Sequence, residues 1–305
     1  MLISICICTF RRPALLLELL NAVGQQQLGT LHAQIQMVVV DNDPKHSART
    51  VLESWSPPPG YSLVFVNEPE PNIAVARNAA LQRALGDWIV FVDDDEVPAQ
   101  DWLLRLVQAQ QQFAADAVFG PVLPRYLSDT PDWIRLGGYF DRRRFATGTV
   151  INEADARTGN VLIRAQCLKA LRGPFDQAFG RTGGEDSILF RELQALGCRF
   201  IWCDEATVSE EVPLARANVA WLLRRALRVG QTWIRAELYR LPLAKQIRLG
   251  LLLGLRASVQ LVLSLVFALA WLPLSRLKAF HWIRTAAMQV GKLTGMAFRY
   301  QEYGA

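Results

Sequence analysis

Four consecutive carboxylates, Asp93, Asp94, Asp95 and Glu96, follow the apolar run Trp88-Ile89-Val90-Phe91-Val92 in this 305-residue chain. Ionised side by side they repel one another, and a hard divalent cation with oxygen ligands, Mn2+ or Mg2+, relieves the repulsion. A metal held there can in turn grip a diphosphate. The chemistry-free alternative is an acidic, solvated turn in which Glu96 and Asp101 begin a helix. Further acids stand at Asp41 and Asp43. Two more, Glu185 and Asp186, come directly after the glycine-rich stretch Phe179-Gly180-Arg181-Thr182-Gly183-Gly184. Glycines at that place let a ligand approach closely, whereas two acids at a helix N-terminus are also what the helix dipole favours.

Groups of this kind need a frame that delivers them to one cleft. Strand-like runs at 2–8, 35–40, 62–66 and 88–92 alternate with amphipathic runs at 13–23, 47–55 and 73–85. That alternation predicts an α/β fold, a mostly parallel sheet with helices on both faces. Val39-Val40 and Ile89-Val90-Phe91-Val92 suit strands buried on both sides. Ligands of such sheets sit beyond the carboxyl ends of the strands. Thr9-Phe10-Arg11, Asp41-Asn42-Asp43, Asn67-Glu68 and the acidic run all fall there. A helix at 101–115, a strand at 117–123, a Pro- and Arg-bearing stretch at 124–144, an ordered stretch at 158–164 and a helix at 187–196 carry this part towards residue 212.

Composition separates the remainder. Up to Glu210 there are 19 basic and 25 acidic residues, −6; after it there are 14 and 3, +11. A basic C-terminal part in a chain that is 51% hydrophobic reads as a membrane-associating helical region, 213–305, lying against anionic headgroups. Nucleic acid is excluded as its partner, because the basic residues are interleaved with Leu-rich stretches and form no DNA- or RNA-binding motif. The uncharged stretch 257–275 is 19 residues long, about 28 Å as a helix against about 30 Å of hydrocarbon. A spanning helix and a re-entrant or interfacial helix pair both remain open, as does a soluble bundle. Cys6, Cys8, Cys167, Cys198 and Cys203 form no Cys-x-x-Cys pair, and Cys6 and Cys8 share one face of a strand, so reduced thiols are expected. Arg11 and Arg12 follow the first apolar run instead of preceding it, so secretion is not indicated.

In order and spacing, Cys8-Thr9-Phe10-Arg11-Arg12-Pro13, Val39-Val40-Asp41-Asn42, Asn72-Ile73-Ala74-Val75-Ala76-Arg77-Asn78, Asp93-Asp94-Asp95 and Gly184-Glu185-Asp186 resemble family 2 glycosyltransferases of the GT-A fold over residues 1–212. The chain is similar in particular to bacterial exopolysaccharide glucosyltransferases of the succinoglycan type. That likeness extends to Gly230-Gln231-Thr232 and the terminal Arg299-Tyr300-Gln301-Glu302-Tyr303-Gly304. The resemblance implies that Thr9, Arg11 and Asp41 line the nucleobase and ribose pocket of a UDP-sugar and that Arg77 helps to hold the donor. It implies a DXD motif in which Asp93 and Asp94 serve the donor while Asp95, with Asp93, binds Mn2+ or Mg2+. Asp186 takes the place of the general base of an inverting transfer, with Glu185 on the acceptor hydroxyls. Arg224 and Arg225 fall where relatives meet a diphosphate or lipid-linked acceptor. The expected setting is the cytoplasmic face of a bacterial inner membrane, with a polyprenyl-diphosphate-linked oligosaccharide as acceptor.

One departure stands out. Many relatives carry a metal-binding His two dozen residues after the base, where this chain reads Thr207-Val208-Ser209-Glu210-Glu211-Val212, and its histidines, His32, His46 and His281, lie elsewhere. Either Glu210 supplies an oxygen there, or phosphate and water complete the site. Trp133, Tyr139 and Trp202 are candidates for stacking on sugar rings or for core packing. Two other classes compete with this reading. A sugar-nucleotide nucleotidyltransferase uses a similar sheet but opens on a Gly-rich, basic phosphate loop that is lacking here, and an inactive membrane scaffold has no need of Asp95 and Asp186.

Overall fold

A computed structural model describes residues 1–295 and Ala297; the terminal motif Arg299 to Gly304 lies outside the described residues. Among the described residues the chain divides into two compact units, Met1–Arg125 with Arg142–Glu211, and Tyr126–Asp141 with the residues from Val212 onward. A single cut at residue 212 therefore misses one segment. Tyr126–Asp141 goes with the C-terminal helices because Ile134, Trp133, Tyr139 and Phe140 pack with Leu222, Trp221 and Phe280.

In chain order the elements are β1 (Leu2–Thr9), α1 (Pro13–Gly24), β2 (Gln34–Asp41), α2 (Arg49–Ser54), β3 (Tyr61–Asn67), α3 (Ile73–Arg83), β4 (Trp88–Phe91), β5 (Glu96–Pro98), α4 (Trp102–Phe113), β6 (Ala117–Phe119) and β7 (Val122–Tyr126). After α5 (Asp132–Leu136) come β8 (Val161–Arg164), α6 (Ala165–Lys169), α7 (Glu185–Ala195), β9 (Phe200–Trp202) and β10 (Val208–Val212). The main sheet runs β3-β2-β1-β4-β8-β6-β9, and β5, β10 and β7 make a small second sheet. β1, β2, β3 and β4 are parallel neighbours, and β8 is inserted antiparallel to both β4 and β6. The expected α/β architecture with a mostly parallel sheet is thus observed.

Pleating sends alternate residues of each strand to opposite faces. Ile3, Ile5, Ile7 and Val39 meet Leu16, Leu19 and Leu20 of α1 and Leu103 and Leu106 of α4. Cys6, Val38 and Val40 on the other face pack with Ala74, Ala76 and Ala80 of α3 and Leu189 and Phe190 of α7. The small alanines let α3 lie close to the sheet. The run expected as one strand, 117–123, is two: Gly120-Pro121 interrupt it, since proline has no N–H for the ladder, and β7 leaves for the second sheet. The five cysteines are free. Trp202 is buried and packs edge-on against Phe145 at 5.5 Å, so it serves the core.

The second unit is helical: α5, α8 (Val219–Leu238), α9 (Leu243–Trp271) and α10 (Arg276–Thr294). Asn218 caps α8 by accepting from Trp221 N at 2.9 Å, and Ser275 caps α10 through Lys278 N. α8 and α10 cross at glycines. A Cβ on Gly230 would lie 2.0 Å from Met288 O and one on Gly291 1.9 Å from Leu227 O, so Gly230-Gln231-Thr232 marks a packing contact. Trp133 and Tyr139 pack with Phe280 at 5.5 and 5.3 Å, which makes them core residues of this unit.

Candidate active site

β1, β2 and β4 end side by side, and the first unit concentrates its buried charge beyond those ends. Thr9, the last residue of β1, is buried and donates its hydroxyl to Asp94 Oδ2 at 2.8 Å. Arg12, at the mouth of α1, donates to Asp94 Oδ1 at 3.1 Å and to Asp95 Oδ2 at 2.8 Å. Burial pushes the Asp94 carboxyl up to about 7, against the pull of Arg12. Asp93 turns the other way, with Oδ1 accepting from Arg77 at 3.1 Å and its side chain 43% exposed. The four acids therefore diverge: Asp94 and Asp95 to Arg12, Asp93 to Arg77, and Glu96 inward. Glu96 is 1% exposed. Its Oε2 accepts from Asp93 N at 2.9 Å and its Oε1 is buried without a hydrogen-bond partner among the described residues. Burial, reinforced by Asp93, pushes its carboxyl well upward.

Arg77 connects this cluster to the start of α7. It is buried, and its Nη1 donates to Glu185 Oε1 at 2.6 Å while Nη2 donates to Asp93. Burial alone would favour the neutral form, but Asp93 and Glu185 outweigh it and keep the guanidinium charged. Glu185 is buried with one oxygen taken by Arg77, because a desolvated guanidinium requires a carboxylate. Asp186, the next residue, is half-buried, and its Oδ1 accepts from Ser187 N at 2.7 Å.

Asn72 aims Arg77. Its Oδ1 caps α3 by accepting from Ala74 N and Val75 N, its N–H donates to Asn42 Oδ1 at 3.0 Å, and its Nδ2 donates to Gln177 O at 3.2 Å. Through backbone and side chain together, Asn72 ties the end of β2, the start of α3 and the loop before α7. The glycine-rich loop makes its closest approach to this residue: a Cβ on Gly180 would stand 1.7 Å from Asn72 Oδ1 and 2.8 Å from Ala74 N. Gly180→Ala is expected to lower stability by about 2–4 kcal/mol through overpacking and a lost cap. Urea unfolding followed by circular dichroism checks this; a midpoint equal to the parent's would show that the loop yields freely.

Asp41 is buried completely. Its oxygens accept from Asp43 N at 3.1 Å and Ala48 N at 2.7 Å, so it fastens the loop after β2 from beneath. Arg11 has φ +56, a left-handed conformation unusual for a non-glycine residue. Its Nε donates to Asp43 Oδ1 at 3.3 Å, and its guanidinium lies 4.6 Å from the Phe10 ring. Glu210 sits opposite Glu96 in the β10–β5 ladder and accepts from Arg142 at 3.2 Å. Arg224 and Arg225 belong to α8 in the second unit, where Arg225 lies over Phe140 and Trp221. The structure brings together Thr9, Asp93, Asp94, Asp95, Arg77 and Glu185, with Asp186 adjoining. Sequence reasoning missed two residues here. Arg12 had a signal, since Pro13 at the first position of a helix fixes the residue before it at the helix mouth. Asn160 had none: buried at φ +61, it joins Pro121 O, Ala206 O and Trp102 Nε1.

Comparison with known proteins bears on the family and the fold. The sequence model described as Glycosyl transferase family 2 matches residues 4–175. The succinoglycan biosynthesis protein ExoM of Rhizobium meliloti (strain 1021) is 36% identical over 233 residues, 75% of this chain and 73% of its own length. A PGL/p-HBAD biosynthesis glycosyltransferase of Mycobacterium bovis is 26% identical over 46% of this chain and 52% of its own. Among solved structures, the mannosyltransferase PcManGT from Pyrobaculum calidifontis, in complex with GDP-Man and Mn2+, matches with a TM-score of 0.65 at 21% identity, covering 97% of this chain and 87% of that one. S. aureus TarS 1-349 in complex with UDP matches at 0.55 and 16% identity, over 96% and 91%. These neighbours share its GT-A fold, and with the family match running from β1 through the acidic cluster, the chain belongs to glycosyl transferase family 2.

Proposed function

We propose that this glycosyltransferase is inverting and metal-dependent. In this reading it moves a hexose, glucose from UDP-glucose, to a polyprenyl-diphosphate-linked oligosaccharide in exopolysaccharide biosynthesis at the cytoplasmic face of a bacterial inner membrane. The observation that carries the chemistry is Arg77, which joins Asp93 of the acidic cluster to Glu185 beside Asp186. A group that handles the leaving nucleotide and a group that activates an alcohol then belong to one rigid constellation. The pathway is supported by the likeness to a succinoglycan biosynthesis protein, and a nucleotide-sugar donor by neighbours solved with UDP-GlcNAc or GDP-Man.

Asp95 and Asp93 would hold Mn2+ or Mg2+, with Glu210 as a further oxygen. Carboxylates are hard donors suited to either ion. Among the described residues no group of three His, Cys, Asp or Glu side chains is placed to hold a metal ion by itself. When bound, the ion supplies positive charge against the departing diphosphate. Thr9 and Arg11 line the nucleoside pocket, and Asp41 shapes it from below. Asp186 takes the proton of the acceptor hydroxyl as that oxygen attacks C1 from the face opposite UDP. The new C1–O bond forms as the C1–O bond to the β-phosphate breaks, its electron pair leaves with UDP, and the anomeric centre inverts. Arg224 and Arg225 are proposed to meet the acceptor's diphosphate, for which a planar guanidinium is suited.

The test is nucleotide release from UDP-glucose, UDP-galactose, UDP-glucuronate and GDP-mannose in the presence of lipid-linked acceptor and Mn2+ or Mg2+. UDP-glucose is expected to be consumed, with the rate lowered about tenfold or more by EDTA or by Asp95→Ala. Transfer that is indifferent to chelation would remove the metal from this reading. Turnover of a sugar-1-phosphate with UTP would indicate a nucleotidyltransferase.

A further inference from the structure

We infer that the second unit docks on one leaflet of an anionic phospholipid bilayer, with α9 lying in the plane of the interface and its apolar stripe in the acyl boundary, and that α9 does not cross the membrane. The inference rests on the membrane association proposed above and is independent of the transfer chemistry.

α9 is long and apolar enough to span. Along it Leu251, Leu255, Val259, Val262, Val266 and Leu269 recur at spacings of three and four, each between 53 and 72% exposed. They form one stripe about 27 Å long. Ala257, Ser264 and Ala268 are buried on the opposite side. So large an exposed aliphatic surface calls for an apolar neighbour.

The partner helix decides the orientation. Phe267 of α9 stacks on Trp282 of α10 at 4.8 Å, and α10 runs back along α9 from the Leu272–Ser275 turn. Arg284 therefore lies beside residue 265, midway along the uncharged stretch 257–275. Its guanidinium lies 4.9 Å over the Tyr139 ring, and Tyr139 packs with Trp133 and Phe280. Were α9 to cross, it would carry Arg284 to the bilayer centre. With it would go the segment Tyr126–Asp141, which includes non-helical backbone, Asp129 and Asp132. An arginine at that depth is strongly disfavoured, and irregular backbone exposed to lipid has no hydrogen-bond partners. α8, which bears Arg224, Arg225, Arg228 and Arg235, is bound to α10 at the Gly230 and Gly291 crossing and would follow.

Lying flat avoids all of this. Arg248, three residues before Leu251, continues the line of the stripe, and Lys245 and Arg256 flank it; all three are exposed. At the far end Lys278 sits 4.1 Å over the Trp271 ring, beside exposed Arg276. Such side chains lay their stems along the acyl boundary and lift their charges to lipid phosphates. The basic rim and aliphatic stripe together select an anionic phospholipid surface.

Two variants of the full chain, each with one added cysteine, test this in membranes of the producing cells. Leu85→Cys reports the side of the first unit and Arg276→Cys the turn beyond α9; both positions are exposed. The parent is the background control, since burial pushes the Cys8 and Cys167 thiols up to about 12 and Cys203 up to about 11. A membrane-impermeant maleimide is expected to reach both introduced cysteines from the same face. Labelling from opposite faces would overturn the inference. In sedimentation with phosphatidylglycerol vesicles the parent is expected to bind and Val262→Asp to bind about tenfold more weakly; a parent that stays in the supernatant also overturns it. Nucleotide release is measured in parallel. Opposite-face labelling with normal turnover would sink this inference alone, and same-face labelling with no turnover would sink the transfer reading alone.

Discussion

Replacing Asp186 by asparagine is expected to lower donor turnover by about 10²–10⁴-fold, the range for losing a positioned general base, while affinity for UDP changes by no more than about twofold. The asparagine keeps an oxygen to accept from Ser187 N, the bond that Asp186 Oδ1 now makes at 2.7 Å, so the first turn of α7 is preserved. What disappears is the capacity to take up a proton. Steady-state kinetics with lipid acceptor, together with calorimetric titration of UDP, separates the outcomes. A parental rate would mean that another group is the base. A joint collapse of rate and UDP affinity would make Asp186 a structural cap of α7.

Arg77→Ala carries the largest expected loss of stability. It strands Glu185, which is 6% exposed, without the guanidinium 2.6 Å away, and it removes the partner of Asp93. Breaking a buried pair from one side costs about 3–5 kcal/mol. Arg77→Lys is expected to recover only part of this, because an ammonium cannot fork to two carboxylates. The double variant Arg77→Met with Glu185→Gln is expected to be more stable than Arg77→Ala, since no buried charge is left uncompensated. Urea unfolding of the three proteins is the measurement. Equal midpoints for parent and Arg77→Ala would show that the pair does not brace the site.

The contrast between Asp93 and Asp94 shows where sequence reading reached its limit. As neighbours in one acidic run they are indistinguishable by type, and their motif pointed correctly to the end of a central strand. In the fold one is half exposed against Arg77, and the other is buried beneath Thr9 and Arg12. The same holds for Glu185 and Asp186, adjacent in the chain yet one buried against Arg77 and the other half-buried. β2 and β4 were legible because strands buried on both faces read as apolar runs. β8 was not, because nothing in Val161–Arg164 states that it inserts antiparallel between β4 and β6. The assignment of Tyr126–Asp141 to the helical unit was hidden for a related reason: its aromatic residues suit sugar stacking and helix packing equally.

By itself the sequence determined the alternation of strands and helices, the charged strand ends, the acidic run and the apolar basic tail, because each is written in local periodicity or composition. Only the tertiary structure decided which charge meets which. Arg12 reaches Asp94 across 82 residues and Arg77 reaches Glu185 across 108, and whether such a pair is a brace or an open ligand depends on how far water is excluded from it. Desolvation is a property of the packed chain, and no spacing of residues along the sequence encodes it.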